Sequence, residues 1–114
     1  MTYTKKERFS KRYQYISTLS RALSHPARLA ILDYLAQQNQ CVSGDITDKI
    51  PLSRPTVSQH LQELRKAGLI KGSISGKHVY YCVNAENIKQ MEQELHNFLW
   101  GLAARAVPCE IGEH

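Results

Sequence analysis

The 114-residue chain has no apolar run near the roughly 20 residues that a helix needs to cross a bilayer. Its first dozen residues are basic and polar, and no apolar stretch follows them. Neither a membrane span nor a secretory leader is therefore expected. Cysteine is scarce: Cys41, Cys82 and Cys109 are odd in number and widely spaced. That usage fits a reducing cytoplasm better than a disulfide framework. No nucleophile–base pair, glycine-rich phosphate loop or metal constellation stands out, which argues against an enzyme. Repeats, low-complexity tracts and linkers are missing too. The chain is long enough to bury one core without staples and too short for two catalytic lobes.

Positive charge is what the rear of the chain lacks. Residues 84–114 hold Lys89 and Arg105 against Glu86, Glu92, Glu94, Glu110 and Glu113. Residues 1–28 hold Lys5, Lys6, Arg8, Lys11, Arg12, Arg21 and Arg28 against Glu7 alone. A basic front and an acidic rear point to a polyanion on one side only, unless the front is merely a solvated arm.

Apolar periodicity then lays out the elements. Phe9, Tyr13, Ile16, Leu19 and Leu23 recur at spacings of four and three, so residues 9–23 are expected to be helical. Pro26 interrupts that pattern and opens a second helix through Ala36, apolar almost all round and so expected to be central to the core. Ser43 is a candidate N-cap for a short third helix reaching Ile50, where Pro51 stops it. Ser53 can cap a fourth helix, which Gly68 ends. Residues 70–75 and 77–83 flank Gly76 and read as a hairpin. A last helix over residues 85–104 carries the stripe Ile88, Met91, Leu95, Phe98, Leu99 and Leu102, with Trp100 well off it. The expected class is mainly α (α+β), ordered as four helices, a two-stranded hairpin and a fifth helix.

Two short helices joined by Ile50-Pro51-Leu52-Ser53 have the layout of a helix-turn-helix. On the second of them Val57, Leu61 and Leu64 share the inward face. Pro55, Ser58, Gln59, Gln62 and Lys66 turn outward, with Arg54, Thr56 and His60 on the flanks. A face chosen only for solubility would carry Glu and Lys. Amides and hydroxyls instead match base edges and phosphates, and Arg54 suits guanine or phosphate. The Ser53 end offers helix N–H groups to a phosphate. The hairpin tip Ser75-Gly76-Lys77-His78, with Lys71 before it, supplies the cations of a wing. The candidate DNA contacts are thus Ser53, Arg54, Thr56, Ser58, Gln59, His60, Gln62, Lys66, Lys71, Lys77 and His78.

These segments resemble a known family. Residues 22–32, Ala-Leu-Ser-His-Pro-Ala-Arg-Leu-Ala-Ile-Leu, are similar to the signature of the ArsR-type bacterial transcriptional regulators. Residues 52–70 resemble their recognition helix and its exit, and residues 76–81 their wing. The resemblance covers about residues 10–102. It implies a homodimeric winged helix-turn-helix repressor, paired through its first and last helices and bound to double-stranded DNA at an inverted-repeat operator. Residues 1–8 would then be a basic arm, 9–104 the DNA-binding and dimerisation domain, and 105–114 a flexible tail. A winged helix used only as a protein-interaction module is the other reading.

Many such relatives release DNA when a metal, a metalloid or a modified thiol is present. Soft ions need paired thiolates, and here Ser43 stands where a Cys-x-Cys partner of Cys41 would be. The zinc-type site would draw on residues 85–87 and 98–101, but aromatic and glycine residues cannot supply its second pair. Glu92 and His96, one turn apart, read as a solvated pair. No metal is assigned and no cofactor is required for the fold, but a metal or metalloid effector stays open, with Cys41 and Cys109 able to bind a metalloid or form a di- or polysulfide. Cys41, ahead of a helix start, and Cys109, in the tail, are the candidate thiol-sensing residues, within or across subunits. Cys82 reads as structural.

Overall fold

A computed structural model of the protein describes residues 8–38, 41–43, 46–73 and 80–109. Helix α1 (Lys11–Ala22) starts at Ser10, whose hydroxyl accepts the Tyr13 N–H at 3.3 Å. It ends at its C-cap Leu23, and the next residue, Ser24, donates its hydroxyl to the Arg21 carbonyl at 2.7 Å. Helix α2 (Pro26–Ala36) opens on Pro26, where the missing N–H costs nothing. Strand β1 (Val42–Ser43), helix α3 (Arg54–Lys66), strands β2 (Ile70–Ser73) and β3 (Tyr80–Val83), and helix α4 (Ala85–Arg105) follow. The three strands form one antiparallel sheet in the order β1-β3-β2.

The expected short helix from Ser43 to Ile50 is corrected to a strand followed by a turn. Ser43 pairs with Tyr80 across the sheet and is not a helix cap. Beyond it, the Lys49 and Ile50 N–H groups both donate to the Ile46 carbonyl, at 2.9 and 3.2 Å, closing a single turn. Ile46 and Ile50 are both buried, so two apolar anchors four residues apart hold the turn. Sheet pairing on one side and Pro51 on the other leave no room to extend it. Four helices, not five, are therefore present among the described residues. The hairpin strands are described over Ile70–Ser73 and Tyr80–Val83. Its tip, with Lys77 and His78, lies outside the described residues, as do Lys5 and Lys6 of the basic arm.

The core joins every element. Leu19 and Ala22 of α1, Ile31 and Leu35 of α2, Val57, Leu61 and Leu64 of α3, Ile70 and Tyr81 of the sheet, and Met91 of α4 form one buried cluster. Burying each large aliphatic side chain contributes about 1.5–3 kcal/mol. That is enough for α3 to be held by three such side chains on a helix whose other residues are mostly polar. Helix α2 is less enclosed than its composition suggests, since Leu29 is half exposed.

Two glycines shape the exit from α3. Gly68 has φ +84 and completes a Schellman motif, its N–H bonding to the Arg65 carbonyl and that of Leu69 to the Leu64 carbonyl, both at 3.0 Å. Gly72 has φ +132, and a Cβ there would lie 2.8 Å from the Tyr81 Cα. Only glycine lets β2 approach β3 so closely. Helix α4 grips the same corner. The Asn84 N–H donates to the Leu69 carbonyl at 2.9 Å, and Asn87 Nδ2 donates to the Gly68 carbonyl at 3.2 Å.

Candidate nucleic-acid interface

The geometry of α3 follows from its two unlike faces. Val57, Leu61 and Leu64 are 3%, 5% and 0% exposed and seat the helix on the core. Ser53, Arg54, Gln59, Gln62 and Lys66 are exposed, and Thr56 and Ser58 are half-buried at the margin. The expected inward and outward faces are thus the observed ones. Ser53 takes the extended conformation of an N-cap, but its hydroxyl pairs with Thr56 Oγ1 at 2.9 Å and caps no backbone N–H. Lys66 Nζ lies 3.6 Å from Glu63 Oε1, a contact open to solvent and worth little. Lys71 is exposed on β2, and Arg8, Lys11 and Arg12 are exposed at the start of α1. Arg12 lies over the Phe98 ring, 5.5 Å from its centroid.

His60 is the site residue whose surroundings differ most from the expectation. Arg28 Nε–H donates to His60 Nδ1 at 3.1 Å, and the His25 ring stacks obliquely, 5.1 Å centroid to centroid. Arg28 also reaches the carbonyls of Arg21 and Ala22 at 3.4 and 3.5 Å. One guanidinium therefore joins the end of α1, the start of α2 and the middle of α3. The accepting Nδ1 must be unprotonated, so the neutral ring carries its hydrogen on Nε2. From the sequence, Pro26 marked a helix start, Arg28 counted in the basic front and His25 belonged to the family signature; none of them was joined to His60. The chemical clue to their role was a histidine on α3 too near the core to remain unpartnered.

Burial, then the Arg28 and His25 charges, lowers the His60 pKa below 6.5. The folded state thus favours the neutral ring, while the unfolded chain takes up a proton near pH 6.5. Between the two pKa values the unfolded state holds more protons, so the contribution is complete above pH 6.5 and declines as pH falls towards the folded pKa. We expect the thermal midpoint to drop between pH 7 and 5, and to drop less in His60→Asn. Parallel pH curves for the two proteins in thermal melts would remove this role.

The thiols are arranged otherwise than expected. Cys41 is bonded to Cys82, and Cys109, free and exposed, lies beyond the end of α4. The pairing Val42↔Tyr81 continues outward to bring Cys41 opposite Cys82, and Cys109 takes no part in that cross-strand bond. Among the described residues no group of three or more His, Cys, Asp or Glu could hold a metal ion.

Comparison with known proteins places this arrangement. The profile of bacterial regulatory proteins of the arsR family matches residues 25–71, from the start of α2 into β2. An uncharacterized HTH-type transcriptional regulator of Methanocaldococcus jannaschii is 30% identical over 81 residues, spanning 71% of this chain and 91% of that relative. The transcriptional repressor SdpR of Bacillus subtilis is 30% identical over 84 residues, spanning 74% of this chain and 92% of its own length. The solution structure of a homodimeric winged helix-turn-helix DNA-binding domain from Mycobacterium bovis superposes with a TM-score of 0.57 at 22% identity, covering 100% of this chain and 98% of that one. That last likeness supports the fold. A recognition helix leading into an antiparallel strand pair, with relatives matched over nine-tenths of their length that are transcriptional regulators, makes this chain a DNA-binding regulator and not an enzyme: it belongs to the arsR family of bacterial regulatory proteins.

Proposed function

We propose that the chain is a cytoplasmic repressor that binds an inverted-repeat duplex as a homodimer. Its α3 helices enter successive major grooves. The observation that carries this reading is the exposed face of α3, where Gln59, Gln62 and Arg54 project from a helix anchored by three core side chains. Gln59 and Ser58 read base edges, and Arg54, Thr56 and Gln62 read or position the groove. Ser53, Lys66 and Lys71 meet phosphates, joined by Lys77 and His78 of the wing and by the basic arm. His60 lies at the same surface, oriented by Arg28.

The dimer reading rests on the apolar surface left over after folding. Phe9, Tyr13, Leu99, Trp100 and Leu102 are 60%, 52%, 53%, 66% and 47% exposed, all on or beside α1 and α4. Tyr13 and Phe98 pack edge-to-face at 6.3 Å, which sets α1 beside the second half of α4. A patch of this kind marks an interaction site. The similar M. bovis domain is homodimeric, and SdpR is a repressor.

The test begins with duplexes selected by the protein from a random-sequence library. The selected sites should be inverted repeats. With about six phosphates neutralised, affinity should fall roughly 1,000-fold between about 50 and 200 mM salt. Selection of no duplex, or an affinity indifferent to salt, would leave the protein-interaction module as the better reading.

A further inference from the structure

We propose that Cys41 and Cys82 form a reversible thiol–disulfide site, oxidised by hydroperoxides, whose bond closes a covalent ring around the recognition helix. The consequence for DNA rests on the function proposed above, whereas the chemistry of the site does not.

The backbone brings the two thiols together. Val42 faces Tyr81 and Ser43 faces Tyr80, so the next position outward sets Cys41 against Cys82. Their Cα atoms are 4.5 Å apart, the spacing of a non-hydrogen-bonded antiparallel pair. This register is imposed by packing: Tyr81 is 1% exposed within the core, and Val42 packs against that core from β1. The reduced thiols therefore stay side by side, and closing the bond needs no search.

The two cysteines differ in access. Cys41 is exposed and Cys82 half-buried. Cys41 is the thiol that an incoming oxidant meets, and Cys82 the one that resolves. The Cys41 thiolate attacks one peroxide oxygen and the O–O bond breaks. Cys41 becomes a sulfenic acid and the other oxygen, once protonated, leaves as water from hydrogen peroxide or as an alcohol from an organic hydroperoxide. The Cys82 sulfur then attacks the Cys41 sulfur, the S–O bond breaks, the S–S bond forms and a water departs. Two thiols are oxidised by two electrons while one hydroperoxide is reduced. A dithiol reductant restores both thiols by exchange.

The place of the bond gives the chemistry its effect. The cysteines are 41 residues apart, and that span holds the Ile46–Ile50 turn, all of α3 and all of β2. Strand β1 is two residues long and, among the described residues, pairs with β3 alone. Oxidation thus ties the lead-in to α3 to the strand that carries the wing. It presets their relative position before DNA arrives. Cys109 stands outside this ring.

The experiment uses the full chain, reduced, freed of reductant and treated with stoichiometric hydrogen peroxide. Trypsin separates the three cysteines into peptides 29–49, 78–89 and 106–114. The expected product is a cross-link between the first two, lighter than their sum by two hydrogens, with Cys109 still open to alkylation. The thermal midpoint should rise by roughly 10 °C on oxidation. Cys109→Ser should keep both results and Cys82→Ser should lose both. A link from Cys41 to Cys109, a Cys109 link between chains, or three free thiols would overturn the assignment. The oxidised wild type should bind its selected duplex at least about 3-fold more tightly than the reduced protein, with no such difference in Cys82→Ser. Equal affinity in the two states would overturn the coupling to DNA. Failure of both states to bind any duplex would instead remove the DNA reading while the thiol map stood.

Discussion

Changing Ser58 and Gln59 together to alanine should weaken binding to the selected duplex by about 10- to 100-fold while leaving binding to unrelated duplexes nearly unchanged. The two side chains sit on the outward part of α3, Gln59 exposed and Ser58 at the margin. An amide that pairs with both edge atoms of an adenine contributes about 1–3 kcal/mol of discrimination, and 1.4 kcal/mol is tenfold in affinity. Alanine favours helix at both positions, so α3 itself should survive. Anisotropy titrations with selected and scrambled duplexes read the two effects separately. If both affinities fell in parallel, these residues would be positioning the backbone and not reading bases.

The double variant Leu99→Glu, Trp100→Glu should halve the mass seen by sedimentation velocity and lower duplex affinity by about 10²- to 10⁴-fold. Both side chains are more than half exposed in the single chain, so folding loses little when they become polar. A dimer interface would lose its apolar centre and gain four buried carboxylates across the two copies, each costly without a partner. The affinity loss follows from linkage: the second half-site is bound at the high local concentration that the first contact creates. A monomer that kept full affinity would show that one chain suffices for the site.

Much of this architecture could be read from residue order because its signals are local. Pro26 and Gly68 mark a helix start and a helix exit, and both stand where they were expected. The inward face of α3 followed from the spacing of Val57, Leu61 and Leu64 alone. The failures lie where partners distant in the chain decide the outcome. Ser43 is a good cap by type, but Tyr80 claims its backbone for the sheet. Cys41 was set with Cys109 and Cys82 was read as structural, because only β3 brings Cys82 beside Cys41. His60 looked like a surface flank because Arg28, 32 residues earlier, is invisible to a helical wheel. The apolar stripe of α4 was legible from its spacing, but how it divides between core and surface was not. Its first half reaches the core through Met91, with Ile88 and Leu95 packed on it, whereas Leu99, Trp100 and Leu102 stay exposed.

The hydrogen bond from Asn87 to Gly68 has a mechanical meaning. It bolts the first turn of α4 to the end of α3. Helix α4 is 21 residues long, so its far end stands about 30 Å from that bolt. The stem and the reading helix therefore turn as one crank. A tilt of about 5° at the corner swings the tip of the stem by nearly 3 Å on that length. In a dimer joined along its stems, the same small angle would work in reverse, changing the gap between the two reading helices. Operator spacing would then be gauged at the junction of Asn87 and Gly68, a corner that need touch no base.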